Sequence, residues 1–404
     1  MEGRVTEPGA DNRWARSIAP LFHRILDRID AGLEVGAIEA LLPDGVHRLL
    51  GGRQDGPVAH VTVVRWRALR RLITGGSIGW YEAWEEGDWT SPDPVPLFDL
   101  FMRNRATLGN VARAKRGTRL AARAMHALRH NDRRNARRNI AAHYDLGNDF
   151  YEAWLDPTLT YSSALFEAGD TLEAAQQRKI DAILSRANVP ANGTLLEIGC
   201  GWGGLAERAG QRGIGVRAIT LAAEQQGFVA DRTIDLPVAV SLTDYRDVRG
   251  LYDGVASVEM VEAVGERYWA DYLATVARAL KPRGRAAIQF IKIADDIWPS
   301  YRANVDFIQA YVFPGGMLIH EPKFRALAEA QGLCWQDRHA FGQDYAETLR
   351  QWRERFDAAV AEGRLPARFD RRFVDLWRYY LMYCEGGFRG GGIDVVQITL
   401  VKQR

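Results

Sequence analysis

Cysteine is scarce in this chain: three in 404 residues, at Cys200, Cys334 and Cys384, with no CxxC pair. That spacing excludes a disulfide scaffold, argues against a structural zinc site and fits a reducing cytoplasm. Long apolar runs are missing too. No stretch approaches the roughly 18 to 20 residues that a membrane span needs, and the first twenty residues lack the apolar core of a signal peptide. Nor does one sign of charge dominate, since 53 Lys and Arg stand against 51 Asp and Glu. With 47% hydrophobic and 26% charged residues, the composition is that of a folded globular protein. The length suggests two domains. No internal repeat is evident.

The even charge balance hides a local excess. Between Arg103 and Arg138 there are twelve Lys or Arg and one acid, Asp132, so the rest of the chain is net acidic. Leu120, Met125 and Leu128 interleave with the basic residues, which gives a weakly amphipathic basic helix. Such a block is a footprint for a polyanion. An anionic membrane surface fits best; a solvated linker is the plain alternative. Nucleic acid is not the expected partner, because no recognised binding motif accompanies the block.

This segment divides the chain. Residues 1–102 read as a small α+β accessory domain with helical spacing in Ile18, Leu21, Phe22, Ile25, Leu26 and Ile29, and apolar alternation at 60–64. No catalytic constellation shows there. Residues 103–140 form the basic linker, and residues 141–404 the larger domain. From about residue 180, strand candidates at 193–199, 216–221, 238–242, 254–260 and 286–293 alternate with helical patterns. That alternation predicts an α/β, doubly wound, Rossmann-like parallel sheet, whose ligands sit at the carboxyl ends of its strands.

The first of those strands runs into Glu197-Ile198-Gly199-Cys200-Gly201-Trp202-Gly203-Gly204. The glycines permit a tight turn and close backbone approach by a ligand. Glu197, inside the strand, suits the ammonium of a methionine moiety and would repel a pyrophosphate. The second strand ends Thr220-Leu221, without the acid that a nicotinamide dinucleotide ribose usually receives. Gln225 can offer a ribose contact, and Asp244 can accept from an adenine amine. These features point to S-adenosylmethionine. Cys200 reads as a small turn residue, since nothing positions a base beside it.

Seven ordered blocks then make the chain resemble the cyclopropane-fatty-acyl-phospholipid synthase and mycolic acid cyclopropane synthase family. They are 143–151 (HYDLGNDFY), 159–162 (LTYS), the Glu197 glycine motif, 258–265 (VEMVEAVG), 311–316 (YVFPGG), 345–349 (YAETL) and 384–389 (CEGGFR). The resemblance implies a class I methyltransferase domain and methyl transfer to the double bond of unsaturated phospholipid acyl chains by a peripheral membrane enzyme. It places Tyr161 and Ser162 on the S-adenosylmethionine tail, with Gly199 and Gly201 beneath it. Thr220, Leu221 and Gln225 fall near the ribose, and Asp244 at the adenine end. It also implies a bicarbonate ion near the sulfonium, held at positions that here read Ser163, Glu262, Gln289, Tyr345 and Cys384. The family commonly has Cys, His and His where this chain has Ser163, Ala263 and Gln289.

An alkene that attacks a sulfonium methyl becomes a carbocation, so the site must exclude water, stabilise the cation and choose which proton leaves. Loss of a proton from the new methyl closes a cyclopropane; a hydride shift and loss of another proton leave a branched alkene. Ser163 and Gln289 can each donate a hydrogen bond to an anion, but neither can relay a proton as imidazole does. The proton-removal step is therefore expected to differ from that of the best-known relatives, with cyclopropanation only narrowly ahead of methyl branching. Two further readings stay open: an enzyme acting on an already methylated acyl chain, for instance by dehydrogenation, and a small-molecule N-methyltransferase. A homo-oligomer is a further expectation.

Overall fold

The computed structural model describes residues 12–109 and 146–403, which fall in two compact units. Most of the basic segment and the start of the 143–151 block lie outside the described residues. No helix among the described residues is long and apolar enough to cross a membrane.

The smaller unit is α+β, as its sequence predicts. Helix α1 (Asn12–Gly32) buries Phe22, Leu26 and Ile29. Strands β1 (Val35–Leu41), β2 (His47–Gly51), β3 (Gln54–Val63) and β4 (Trp89–Thr90) form one sheet in the order β2-β1-β3-β4. Helix α2 (Arg67–Glu85) precedes β4, and Pro94 opens helix α3 (Val95–Arg103). Trp80 stacks on Trp89 with ring centroids 4.4 Å apart. Beneath them Asp88 is fully buried and accepts from Arg65, Arg67 and Arg71.

The larger unit holds a seven-stranded sheet. Its parallel strands are β5 (Thr194–Ile198), β6 (Gly215–Thr220), β7 (Val238–Leu242), β8 (Tyr252–Val258) and β9 (Leu280–Ile293). All five match the strands expected from the sequence to within a few residues at most ends. The sheet is mixed rather than purely parallel. Strands β10 (Leu333–Ala340) and β11 (Ile393–Lys402) add an antiparallel edge, giving the order β10-β11-β9-β8-β5-β6-β7. In β11, Val395 to Leu400 are all buried, as a strand covered on both faces requires.

Five helices of this unit bear on the site. Helix α4 (Leu172–Ala187) is capped by Thr171, whose side chain accepts from Ala174 N, and ends at left-handed Asn188. Helix α5 (Gly204–Gln211) follows the glycine turn, and α6 (Ala223–Arg232) follows β6. Helix α7 (Gly342–Ala361) packs on α8 (Arg371–Arg389), which Asp370 caps through Phe373 N at 2.8 Å. Lipophilic residues on both faces of the sheet form the core, centred on β5, β8 and β9. The carboxyl ends of β5, β6 and β8 open on one pocket.

Candidate active site

The pocket floor is the turn after β5. Gly199 (φ 83°) and Gly201 (φ 50°) have left-handed backbones that favour glycine. A Cβ on Gly199 would stand 2.7 Å from the Met260 side chain, whereas one on Gly201 would meet nothing within 4 Å. The first glycine is thus required by packing, and the second leaves backbone bare toward the cavity. Tyr161, Ser162, Glu197, Gly199, Gly201, Thr220, Leu221 and Gln225 all line this pocket. Asp244 does not. Its buried carboxylate accepts from Arg246 N and Nε, while its neighbours Thr243 and Tyr245 form the wall. Cys200 behaves as a turn residue: burial pushes its thiol well above the usual range.

Two buried wall atoms lack a partner among the described residues, Glu197 Oε2 and Gln225 Nε2. Buried polar groups are normally hydrogen-bonded, so both await a ligand. A carboxylate for an ammonium and an amide donor for a ribose hydroxyl fit S-adenosylmethionine. Thr220 Oγ1 donates to Gln225 Oε1 at 2.8 Å, which leaves the amide nitrogen free for a further acceptor. Burial pushes the Glu197 carboxyl up to about 8, against the attraction of Lys179.

Where β8 ends, the chain turns at Glu259. This residue has φ 49°, a left-handed backbone that costs energy for any side chain with a Cβ. Its carboxylate is held on three sides. Ser163 N donates to Oε1 at 2.9 Å, Gln289 Nε2 to Oε1 at 2.7 Å, and Tyr345 OH to Oε2 at 2.6 Å. These donors are three of the five positions that the resemblance assigns to a bicarbonate site. Ser163 contributes its backbone N–H, because its hydroxyl donates to Ala164 O. Gln289 is oriented from behind by Gln397 Nε2, at 2.9 Å from its Oε1. Glu259 also lines the cofactor pocket. Burial raises its pKa, while Tyr345, Lys179, Gln289 and Ser163 each pull it back down.

Glu262, the fourth of those positions, lies beside Glu259. It lies in the short turn Val261–Ala263, and its Oε1 accepts from Ile291 N on β9. Burial, followed by repulsion from Glu259, pushes this carboxyl up to about 8. One oxygen thus pins a strand backbone, while Glu259 takes the donors of Ser163, Gln289 and Tyr345. Tyr345, on α7, is buried with its ring 4.4 Å from Phe388. Cys384, on α8, stands beside Tyr345 and Tyr380, its thiol driven far up by burial. Burial thus keeps it a neutral thiol. Tyr161 OH pairs with Tyr380 OH at 2.8 Å, and its ring packs 5.2 Å from Trp352. Aromatic faces thus stand close to the pocket, where they favour positive charge.

Sequence reasoning missed Glu259 and Lys179. Glu259 was visible as a second glutamate in 258–262, where strand-end acids are common. Lys179 occupies an apolar-face position of α4, between buried Ala175 and Ile183.

The mycolic acid cyclopropane synthetase family model matches residues 131–398. The chain belongs to that family. UfaA1, a tuberculostearic acid methyltransferase of Mycobacterium tuberculosis, is 39% identical over 361 residues, covering 83% of this chain and 81% of its own. The cyclopropane-fatty-acyl-phospholipid synthase of Escherichia coli K12 is 35% identical over 341 residues, 82% and 85% of the two chains. The crystal structure of the mycolic acid cyclopropane synthase CmaA1 complexed with SAH and CTAB aligns at TM-score 0.62 and 29% identity, over 66% of this chain and 98% of that one. With the family come the class I methyltransferase fold and S-adenosylmethionine-dependent methyl transfer.

Proposed function

We propose that this enzyme methylates the double bond of unsaturated phospholipid acyl chains and uses Glu259 as the proton acceptor, in place of a bound bicarbonate. The observation that carries this is the Glu259 carboxylate held by Ser163, Gln289 and Tyr345 at the wall of the cofactor pocket. S-adenosylmethionine, when bound, supplies the electrophilic methyl. The chain's residues do the rest. Glu197 and Gln225 hold the ligand's polar ends, the aromatic wall excludes water and favours the acyl cation, and Glu259 takes the departing proton. In atoms, one C–S bond breaks, one C–C bond forms on the alkene, and one C–H proton passes to the carboxylate. A general base works best near its operating pH, and burial moves Glu259 in that direction.

A carboxylate fixed by three donors differs from a mobile anion. Together with the likeness to a tuberculostearic acid methyltransferase, it favours a methyl-branched product over a ring. We further assign the basic segment to docking on anionic lipid, with residues 1–102 as a lipid-associated accessory domain and the enzyme at a membrane surface.

The test uses purified protein, S-adenosylmethionine with a labelled methyl, and vesicles of monounsaturated anionic phospholipid in bicarbonate-depleted buffer. Label should enter the acyl chain at an undiminished rate, with branched rather than upfield ring protons by NMR. Glu259→Gly should lose activity and regain part of it with added bicarbonate. A wild-type enzyme that works only with bicarbonate would overturn the assignment. Vesicle binding should weaken with salt.

A further inference from the structure

The cofactor pocket is lined by one ammonium group, that of Lys179, which takes no part in the proton transfer proposed for Glu259. Lys179 is 1% exposed, and an unpaired buried ammonium is strongly disfavoured. Its Nζ donates to Ser162 Oγ. The next residue, Ser163, donates its N–H to Glu259 at the end of β8, so the ammonium stands close to that carboxylate, and it also attracts the buried carboxyls of Asp156, in the loop before Tyr161, and Glu197, on β5. Asp156 is itself engaged with Thr158 and Thr160. No other lysine or arginine lines the pocket among the described residues. The remaining titratable groups facing Glu259 are Tyr345, a donor to it, and Glu262, a like charge. Lys179 is therefore the cation shared by the cofactor floor and the carboxylate cage.

We propose that Lys179 is a positioning residue whose buried ammonium keeps Glu259 ionised, and so able to accept a proton, while fixing Ser162 against the cofactor. This rests on Glu259 being the base. Opposing charges close to a carboxyl lower its pKa by about one to three units, and removing one should release that hold. Burial works against the ammonium and brings Lys179 down to about 8. Its charge is thus present at neutral pH and fades in the alkaline range.

The test compares Lys179→Met and Lys179→Arg with wild type in two readouts. The first is the rate against pH at saturating S-adenosylmethionine. In Lys179→Met the acidic limb should move up by about one to two pH units, and Lys179→Arg should restore it in part. The second is the infrared band of protonated carboxyl groups, with the Glu259 part identified by adding Glu259→Gln. That part should be present in Lys179→Met at neutral pH and absent from wild type. An unmoved limb with an unchanged Glu259 band would overturn the proposal. If Lys179→Met does not fold, Lys179→Gln with Asp156→Asn removes one charge of each sign and gives the same infrared reading. A Glu259→Gln enzyme as active as wild type would overturn the base assignment alone, and the infrared band would still decide the role of Lys179.

Discussion

Two buried carboxylate clusters in this chain are built in opposite ways. In the smaller unit, Asp88 is fully buried but meets three guanidinium groups: Arg67 at 2.7 and 2.9 Å, Arg65 at 3.0 Å and Arg71 at 3.4 Å. Burial alone would push this carboxyl up, yet Arg67 and Arg65 overcome it and hold its pKa below the ordinary value. At the pocket of the larger unit the ratio is inverted. Glu197, Glu259 and Asp156 share one ammonium, and burial raises all three. Acid surrounded by excess base is settled structure. Acid left short of counter-charge is poised to take a proton or a cation, which is where perturbed pKa values gather in enzymes.

Glu259→Gln should have the largest effect. The amide keeps the size of the side chain but cannot accept the proton, so turnover should fall by about 10² to 10⁴. Cofactor affinity should stay within a few-fold, as checked by calorimetric titration. Because burial raises the Glu259 pKa, the wild-type rate should climb as pH rises through that value. A profile flat across the acidic range would sink the assignment.

Asp88→Asn should act on stability and leave chemistry untouched. Breaking a buried ion pair costs about 3–5 kcal/mol when the partner stays buried. Here Arg65, Arg67 and Arg71 can turn to water, so about 2–3 kcal/mol is expected, measured by denaturant unfolding. The sign of the pH effect follows from the lowered pKa. Asp88 contributes stability above the ordinary aspartate value, and loses it as pH falls through the folded one. The Asn variant should lack that slope. A variant as stable as wild type would mean the three arginines gain nothing from Asp88.

How far these two clusters could be read from sequence differs for a physical reason. The fold was legible wherever local pattern decides it. Strands β5 to β9 alternate with helices, and the glycine turn announces itself through residues that only tight turns tolerate. Strands β10 and β11 were not legible, because their pairing is between distant segments: Ile393 meets Ile293 across a hundred residues of chain. In the site, the donors Ser163, Gln289 and Tyr345 were identified as an anion cage, but the anion was looked for in solution. The carboxylate that these donors hold lies three residues before Glu262, at a left-handed Glu259 whose conformation no spacing reveals. One signal was available: neutral donors at Ser163 and Gln289, in place of thiol and imidazole, suit a carboxylate the chain itself supplies. The wealth of arginine around Asp88 was equally hidden, since Arg65, Arg67 and Arg71 lie 23, 21 and 17 residues from it and only the fold brings them together.

The smallest effect is also the most direct measure of the pocket's missing counter-charge. Burial holds the Glu197 carboxyl up at about 8, so at pH 7 the free enzyme carries it mostly protonated. Its Oε2 has no partner among the described residues. The ammonium of S-adenosylmethionine placed there would favour the ionised form and lower the pKa. Cofactor binding at pH 7 should then release close to one proton, and the release should vanish as pH passes well above 8. Titration calorimetry in buffers of different ionisation enthalpy reads this number directly. Affinity should rise with pH over the same range, because each bound molecule has one fewer proton to displace. Glu197→Gln should abolish the release and weaken binding by roughly tenfold, about the value of one charge-assisted hydrogen bond. Binding that releases no proton in the wild type would mean that Glu197 is already ionised beside Lys179. The pocket would then resemble the Asp88 cluster, and the contrast between settled and poised acids would fail.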